Sequence, residues 1–175
     1  DPPEGLHRRA AVDGGGLLVG AGDVREEGEE EEEDLVYNRQ DFWTTSSNKQ
    51  LNFLQVIYRS LKADGNARCA VVLPDNVLFA DGDGTSVRRE LMNFCNLHTI
   101  LRLPTGIFYA QGVKTNVLFF TRGKTERDNT NEVWFYDLRT NMPSFGKTMP
   151  LKKEHFTDFM KAYSAKDRHA VKDER

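Results

Sequence analysis

The first four residues, Asp1-Pro2-Pro3-Glu4, combine hydrogen-bond acceptors with a rigid backbone. A carboxylate and a neighbouring backbone carbonyl can accept hydrogen bonds from an exocyclic amine, and two prolines restrict the turn that carries them. Methylation of an amine needs such acceptors around the nitrogen, so that its lone pair can attack a sulfonium methyl group. Asp1, Pro2 and Pro3 are therefore candidate catalytic residues. The alternative is an ordinary proline-rich segment.

A second candidate is the loop that follows Pro104, which contains two aromatic residues, two glycines and a lysine before Thr115. An exposed aromatic side chain can stack on a base that has been flipped out of a duplex, and a lysine can neutralise a phosphate. Phe108 or Tyr109 would be the stacking residue, and Lys114 would contact the DNA backbone. The alternative is a packed loop that joins two strands.

Other sites that need fixed residue spacings are excluded. A phosphate-binding loop ending at Gly146-Lys147-Thr148 would need glycine at Asn141, and a calcium loop opening at Asp81 would need an acid at Met92. Gly20-x-Gly22 would need a third glycine at Arg25, which disfavours a nicotinamide-dependent enzyme. The four histidines and two cysteines lack metal-ligand spacing, so we expect no metal site.

Charge is distributed unevenly along the 175 residues, whose overall net charge is −3. Residues 1–34 carry a net charge of −9, with eight acids within 26–34, and residues 35–175 carry +6. A run of acids repels itself and buries little apolar surface, so we expect a disordered loop over most of 1–34. The basic remainder is compatible with a polyanionic partner such as DNA.

Hydrophobic periodicity predicts an α/β fold that begins near Asp41. A capping-box motif at 47–50 opens a helix that Gly65 ends, and a second helix starts at Thr85 or Ser86. Strands are predicted at 67–73, 97–103, 115–121 and 132–138, and a short helix at 152–163. This order is that of the second half of an open α/β sheet, with an antiparallel hairpin at the sheet edge.

The remaining composition indicates a cytoplasmic protein. Cys69 and Cys95 lie in apolar stretches and are too few for a disulfide framework, which predicts reduced thiols in the core. No apolar run approaches the ~20 residues of a membrane-spanning helix, so we expect no membrane partner. The first residues also lack the basic and apolar regions of a secretory leader.

Four long motifs, read in order, resemble the modification (M) subunit of type I restriction-modification systems. They are SSNKQLNFLQ (46–55), VVLPDNVLF (71–79), LHTILRLPTGIFY (97–109) and YDLRTNMPSFGK (136–147). Members of this family are N6-adenine DNA methyltransferases that use S-adenosylmethionine. The resemblance extends over about 34–163, and it matches residues 5–33 only loosely, to a variable acidic loop.

The resemblance implies a Rossmann-like methyltransferase fold and a complex on double-stranded DNA with a specificity (S) subunit, a second M subunit and a restriction (R) subunit. It assigns Asp1, Pro2 and Pro3 to the family's Asn/Asp-Pro-Pro-aromatic tetrad, with Glu4 in place of the aromatic residue. The family's glycine-rich cofactor motif lies upstream of this tetrad. The resulting organisation is a degenerate tetrad with an acidic loop (1–34), a methyltransferase portion (35–163) and a charged tail (164–175).

Two functions follow from this resemblance. In the first, the chain is part of an adenine methyltransferase, and we expect it to be inactive alone because the family's cofactor motif is not among its residues. The other is a non-catalytic fragment that binds DNA or docks onto other subunits.

Overall fold

Five strands form one mixed sheet in the computed structural model, which describes residues 16–19 (backbone only), 39–108 and 112–173. The strands are β1 (Gly16–Val19), β2 (Arg68–Pro74), β3 (Cys95–Arg102), β4 (Thr115–Arg122) and β5 (Trp134–Asp137). The helices are α1 (Lys49–Ser60), α2 (Asp75–Phe79), α3 (Asp83–Phe94) and α4 (Thr157–Ser164). A 3-10 turn, Lys153–Phe156, precedes α4.

The strand order is β1-β2-β4-β3-β5. β4 runs antiparallel to both β2 and β3, whereas β1 is parallel to β2 and β5 is parallel to β3. The predicted α/β class and the antiparallel hairpin of β3 and β4 are confirmed. The hairpin is not at the edge of the sheet, however, because β4 lies between β2 and β3. The apolar run 117–120 of β4 is typical of a strand with protein on both of its faces.

Four residues of the segment 1–34 belong to the sheet, although the sequence predicts a disordered loop there. β1 pairs with β2 in parallel register, with Gly16 opposite Arg68 and Val19 opposite Val71. The run Leu17-Leu18-Val19 is apolar, and pairing with β2 gives its backbone groups the hydrogen bonds that an open sheet edge offers. The other residues of 1–34 lie outside the described ranges, so disorder there stays a prediction.

Helix α1 begins with a cap one residue later than the capping-box motif predicts. The side-chain oxygen of Asn48 accepts a hydrogen bond from the backbone N–H of Leu51 at 3.0 Å, so Asn48 and not Ser47 caps the helix. The Ser46 hydroxyl in turn accepts from the backbone N–H of Asn48 at 3.1 Å. Asparagine and serine are comparable caps, which is why the sequence alone leaves this position open.

Apolar side chains pack on both faces of the sheet. On one face, Leu54 of α1 and Leu91 of α3 belong to a buried cluster that includes Phe120 of β4. On the opposite face, Phe159 of α4 packs in a second cluster with Leu101. Within the described ranges, no helix is both long and apolar enough to cross a bilayer.

Both cysteines are buried and unpaired, as the sequence predicts. Burial raises the pKa of Cys69 to about 12, with a smaller contribution from Cys95. Burial likewise raises the pKa of Cys95 to about 12. The two thiols are therefore protonated parts of the core at neutral pH.

Candidate functional site

Loop 104–114 lies at the sheet edge where α/β proteins bind their ligands. β2 and β3 are both antiparallel to β4, so their carboxyl ends meet at the same edge of the sheet. Asp75 follows β2 directly, and the loop follows β3. Open α/β sheets bind ligands outside the carboxyl ends of their parallel strands.

The residues at the two ends of this loop are hydrogen-bonded to each other and to Asp75, the residue directly after β2. The backbone N–H of Leu103 donates to the carbonyl of Thr115 at 2.9 Å. The backbone N–H of Asp75 donates to the carbonyl of Lys114, also at 2.9 Å. These hydrogen bonds close the base of the loop, and we call the residues on its two sides, Leu103 on one and Lys114 and Thr115 on the other, the neck of the loop.

A single arginine also contacts both sides of that neck. Arg139 donates from Nε to the carbonyl of Leu103 and from Nη2 to the carbonyl of Thr115, each at 2.9 Å. The same guanidinium forms a two-point ion pair with Asp75, from Nη2 to Oδ1 at 2.6 Å and from Nη1 to Oδ2 at 3.0 Å. Asn116 donates to Oδ1 of the same carboxylate at 2.7 Å.

These hydrogen bonds alter the acidity of Asp75. The hydrogen bond from Arg139 is the largest influence and holds the pKa of Asp75 below its ordinary value of 3.8. Partial burial acts in the opposite direction, and the hydrogen bond from Asn116 adds to the lowering. Asp75 is therefore an ionised partner of Arg139 at neutral pH.

Sequence reasoning did not find the Arg139–Asp75 pair. Asp75 directly follows β2 and Arg139 comes two residues after β5. Charged residues of opposite sign after two strands that share a direction are a signal that could have indicated the contact. The two residues are 64 positions apart, and the strand order that brings them together cannot be read from local sequence patterns.

Phe108 and Lys114, both predicted from the sequence, line one open cleft of about 1470 Å³. Phe108 is 46% exposed, and Lys114 is exposed. Lys147 and Lys153 also line this cleft, and apolar residues of the sheet, such as Val117 and Phe119, form part of its wall. The cleft combines an available aromatic ring with positive charge, which suits a stacked base beside a phosphate.

The remaining predicted site residues lie outside the described residues. These are Tyr109 and the candidate tetrad residues Asp1, Pro2 and Pro3. Their roles stay predictions, as do the roles of Phe108 and Lys114. Among the residues that the structure describes, no group of three or more His, Cys, Asp or Glu side chains is placed to hold a metal ion.

Comparison with known proteins shows which family this chain belongs to. A family model described as "N-6 DNA Methylase" matches residues 21–174. The EcoKI type I restriction enzyme methylase subunit of Escherichia coli K12 is 59% identical over 131 residues, which are 72% of this chain and 24% of that relative. The chain thus spans about a quarter of the length of this curated relative.

Solved structures give the same result for the fold. The crystal structure of the EcoKI M protein matches with a TM-score of 0.73 at 47% identity, over 92% of this chain and 32% of that one. A modification subunit of a type I restriction enzyme from Vibrio vulnificus YJ016, described as putative, matches with a TM-score of 0.65 at 29% identity, over 79% and 28% of the two chains. The resemblance read from the motifs and the expected methyltransferase fold are confirmed. The chain belongs to the N-6 DNA methylase family and is related to the methylase subunits of type I restriction enzymes.

Proposed function

We propose that this chain is part of a type I modification subunit that transfers a methyl group from S-adenosylmethionine to N6 of adenine in double-stranded DNA. In this proposal, loop 104–114 faces the target base, Phe108 stacks on the flipped adenine, and Lys114 contacts a neighbouring phosphate. Asp1 and the carbonyl of Pro2 hold N6, and Pro3 keeps their turn rigid. Tyr109 is the alternative stacking residue.

One observation carries the proposal. A half-exposed aromatic ring, Phe108, stands on a loop with a closed neck at the carboxyl edge of parallel strands, in a cleft that also contains lysines. A ring held in this way can take the place of a stacking neighbour when a base leaves the duplex. The lysines supply the sequence-independent attraction to phosphate that DNA binding requires.

S-adenosylmethionine would be held mainly by segments of the family's domain other than the described residues. A ribose-containing cofactor is commonly bound by a carboxylate at the carboxyl edge of the sheet. Asp75 occupies that edge, but its two oxygens are engaged by Arg139 and Asn116. Asp75 is thus already committed to Arg139 and Asn116, and we expect the cofactor to be held by other segments of the family's domain. Calorimetry on this chain alone should detect no micromolar binding, and such binding would overturn this assignment.

The partners in this proposal are those of a type I system. A specificity subunit would supply the recognition of the DNA target and would bind two modification subunits, and a restriction subunit would join that complex. The relatives that match this chain are methylase subunits of type I restriction enzymes, which supports the proposal.

The test of the loop's role is a chimera that joins the flanking segments of the Escherichia coli relative to this chain, assembled with that relative's specificity subunit. Base stacking is worth ~1–3 kcal/mol, so Phe108→Ala should slow methylation by about 5- to 150-fold and leave cofactor binding unchanged. A mismatched target adenine is easier to extrude and should recover part of the loss.

A matched control comes from Phe135, which is 58% exposed on β5. Phe135 pairs with Ile100 and lines a different pocket with it, on the face that α1 and α3 cover. The neighbouring residue Leu101 lines the cleft instead, and successive strand residues point to opposite faces. Phe135→Ala should therefore leave methylation unchanged. Equal rates for Phe108→Ala and Phe135→Ala would indicate that loop 104–114 is only a packed connection.

The second candidate function is a non-catalytic DNA-binding or docking fragment, and it is favoured by Glu4, which stands where the family's tetrad has an aromatic residue. Glutamate cannot stack on a base, and it places a second negative charge near Asp1. In the chimera, Glu4→Phe should raise the methylation rate if Asp1, Pro2 and Pro3 form a working tetrad. DNA or S-subunit binding by the chimera with no methylation from either variant would support the non-catalytic candidate.

A further inference from the structure

The guanidinium of Arg139 joins the two ends of loop 104–114 through one planar group. Its Nε contacts the carbonyl of Leu103, the last residue before the loop, and its Nη2 contacts the carbonyl of Thr115, the first residue after it. Its remaining hydrogen bonds are with the carboxylate of Asp75, which directly follows β2, and, at 3.4 Å, with Oδ1 of Asn116. All three nitrogens are thus engaged, and each contact is at the neck of the loop or directly beside it.

Both members of this ion pair are themselves held in place. The backbone N–H of Arg139 donates to Oδ1 of Asp137 at 2.6 Å, and Asn116, which is fully buried, donates to Asp75. The side chains of Arg139 and Asp75 are only 13% and 23% exposed. An arginine fork fixed on a carboxylate in this way is pre-organised, because neither group must be ordered anew when the loop engages a ligand.

We propose that Arg139 is a positioning residue for methylation: together with Asp75 it fixes the neck of loop 104–114 and so sets where Phe108 stands against the target base. The inference rests on the proposed function, because it acts through Phe108. The contacts of Arg139 converge on the neck, where Leu103 is five residues from Phe108. A displacement of about 1 Å at a reacting group can slow a reaction by ~100-fold.

Lysine cannot reproduce these contacts. Arg139→Lys keeps the positive charge but replaces three nitrogens in a plane by one, so it cannot hold both loop carbonyls and both carboxylate oxygens. In the chimera with the Escherichia coli flanking segments, we expect Arg139→Lys to lower kcat by more than tenfold. We expect the KM for DNA to change by less than threefold, because Lys114 and the other cleft lysines are unchanged.

A double-mutant cycle separates positioning from a general structural role. If Arg139 acts through Phe108, Arg139→Lys should have little further effect, less than about twofold, once Phe108→Ala is present. The matched control is Arg168→Lys. Arg168 is also partly buried and donates to the Thr99 hydroxyl at 2.8 Å and to the carbonyl of Tyr163 at 3.2 Å, away from the loop. Arg168→Lys should have the same small effect on the methylation rate in the original chain and in the Phe108→Ala variant.

Hydrogen exchange on this 175-residue chain gives a readout that does not depend on methylation. Arg139→Lys and Asp75→Asn should speed amide exchange in 104–114, and Arg168→Lys should not.

Unchanged exchange in the loop overturns the positioning role, and so does an equal effect of Arg139→Lys on methylation in the presence and absence of Phe108. Faster exchange combined with full activity of Phe108→Ala overturns the proposed function of the loop, and the positioning role falls with it. A large effect of Phe108→Ala with none of Arg139→Lys overturns only the positioning role.

Discussion

The backbone of Gly106 passes directly against the carbonyl oxygen of Phe145. Gly106 has a φ of +81°, and a Cβ built on it would overlap that oxygen. Both features require glycine, since L-residues rarely adopt this conformation and a backbone oxygen cannot move aside as a flexible side chain can. The backbone of loop 104–114 therefore lies directly against the segment around Phe145, and this contact adds to the hydrogen bonds at the neck of the loop.

We expect Gly106→Ala to lower the free energy of unfolding by more than ~1–2 kcal/mol, which is the cost of the left-handed conformation alone. The matched control is Gly146→Ala, where an added Cβ meets nothing within 4 Å and φ is not in the left-handed region. That variant should stay within about 0.5 kcal/mol of the original chain. Urea unfolding measures both variants, and equal stabilities would contradict the close approach of Gly106 to Phe145.

The Arg139–Asp75 pair predicts how stability depends on pH. The pKa of Asp75 is lowered in the folded chain, so its ionised form favours folding. This contribution is complete above the ordinary value of 3.8 and is lost as the pH falls through the lower folded value. Asp75→Asn should therefore be less stable at pH 6, by roughly 1–3 kcal/mol, and the difference from the original chain should shrink towards pH 2.

Urea unfolding at a series of pH values measures this dependence. Glu126→Gln is a suitable control, because Glu126 is exposed in the turn between β4 and β5. It should leave the pH profile unchanged. A constant difference between Asp75→Asn and the original chain from pH 6 to pH 2 would show that the carboxylate charge does not contribute to stability.

Local sequence patterns predicted most elements of the fold but not all of them. The strand predicted at 115–121 is β4, Thr115–Arg122, because a short apolar run between turns marks a strand without knowledge of its neighbours. Helix α2, Asp75–Phe79, was not predicted. It has only five residues, too few to show helical periodicity.

Properties that depend on distant residues could not be predicted from local patterns. The place of β4 between β2 and β3 depends on pairing across the sheet, and it decides which loops share an edge. Residue types alone singled out Phe108 and Lys114, which the structure places in the same cleft. The residue type of Arg139 does not by itself single it out, since an arginine is usually a solvated surface residue. Its meaning depends on Asp75, which only the folded chain brings within 2.6 Å.

The buried thiols should be unreactive until the chain unfolds. Burial raises the pKa of both cysteines from 9.0 to about 12, and the thiolate is the form that reacts. At pH 8 the folded chain should thus react with iodoacetamide roughly 1,000-fold more slowly than the chain in concentrated urea. Mass spectrometry can follow the labelling of Cys69 and Cys95. Rapid labelling of either residue without urea would contradict its burial.

The acidic run at 26–34 predicts an electrostatic penalty on DNA binding. Replacing its eight acids by their amides would change the net charge of the chain from −3 to +5. This change is preferable to deletion of 1–34, which would also remove β1 from the sheet.

The control variant exchanges Glu for Asp, and Asp for Glu, at the same eight positions and so keeps every charge. Fluorescence anisotropy with a labelled duplex should show tighter non-specific binding by the amide variant at 50 mM salt and no change for the control. The gain should diminish as salt is added, because screening weakens repulsion between exposed charges and phosphates. If the amide variant and the control bind equally at low salt, the basic part of the chain, 35–175, does not meet DNA.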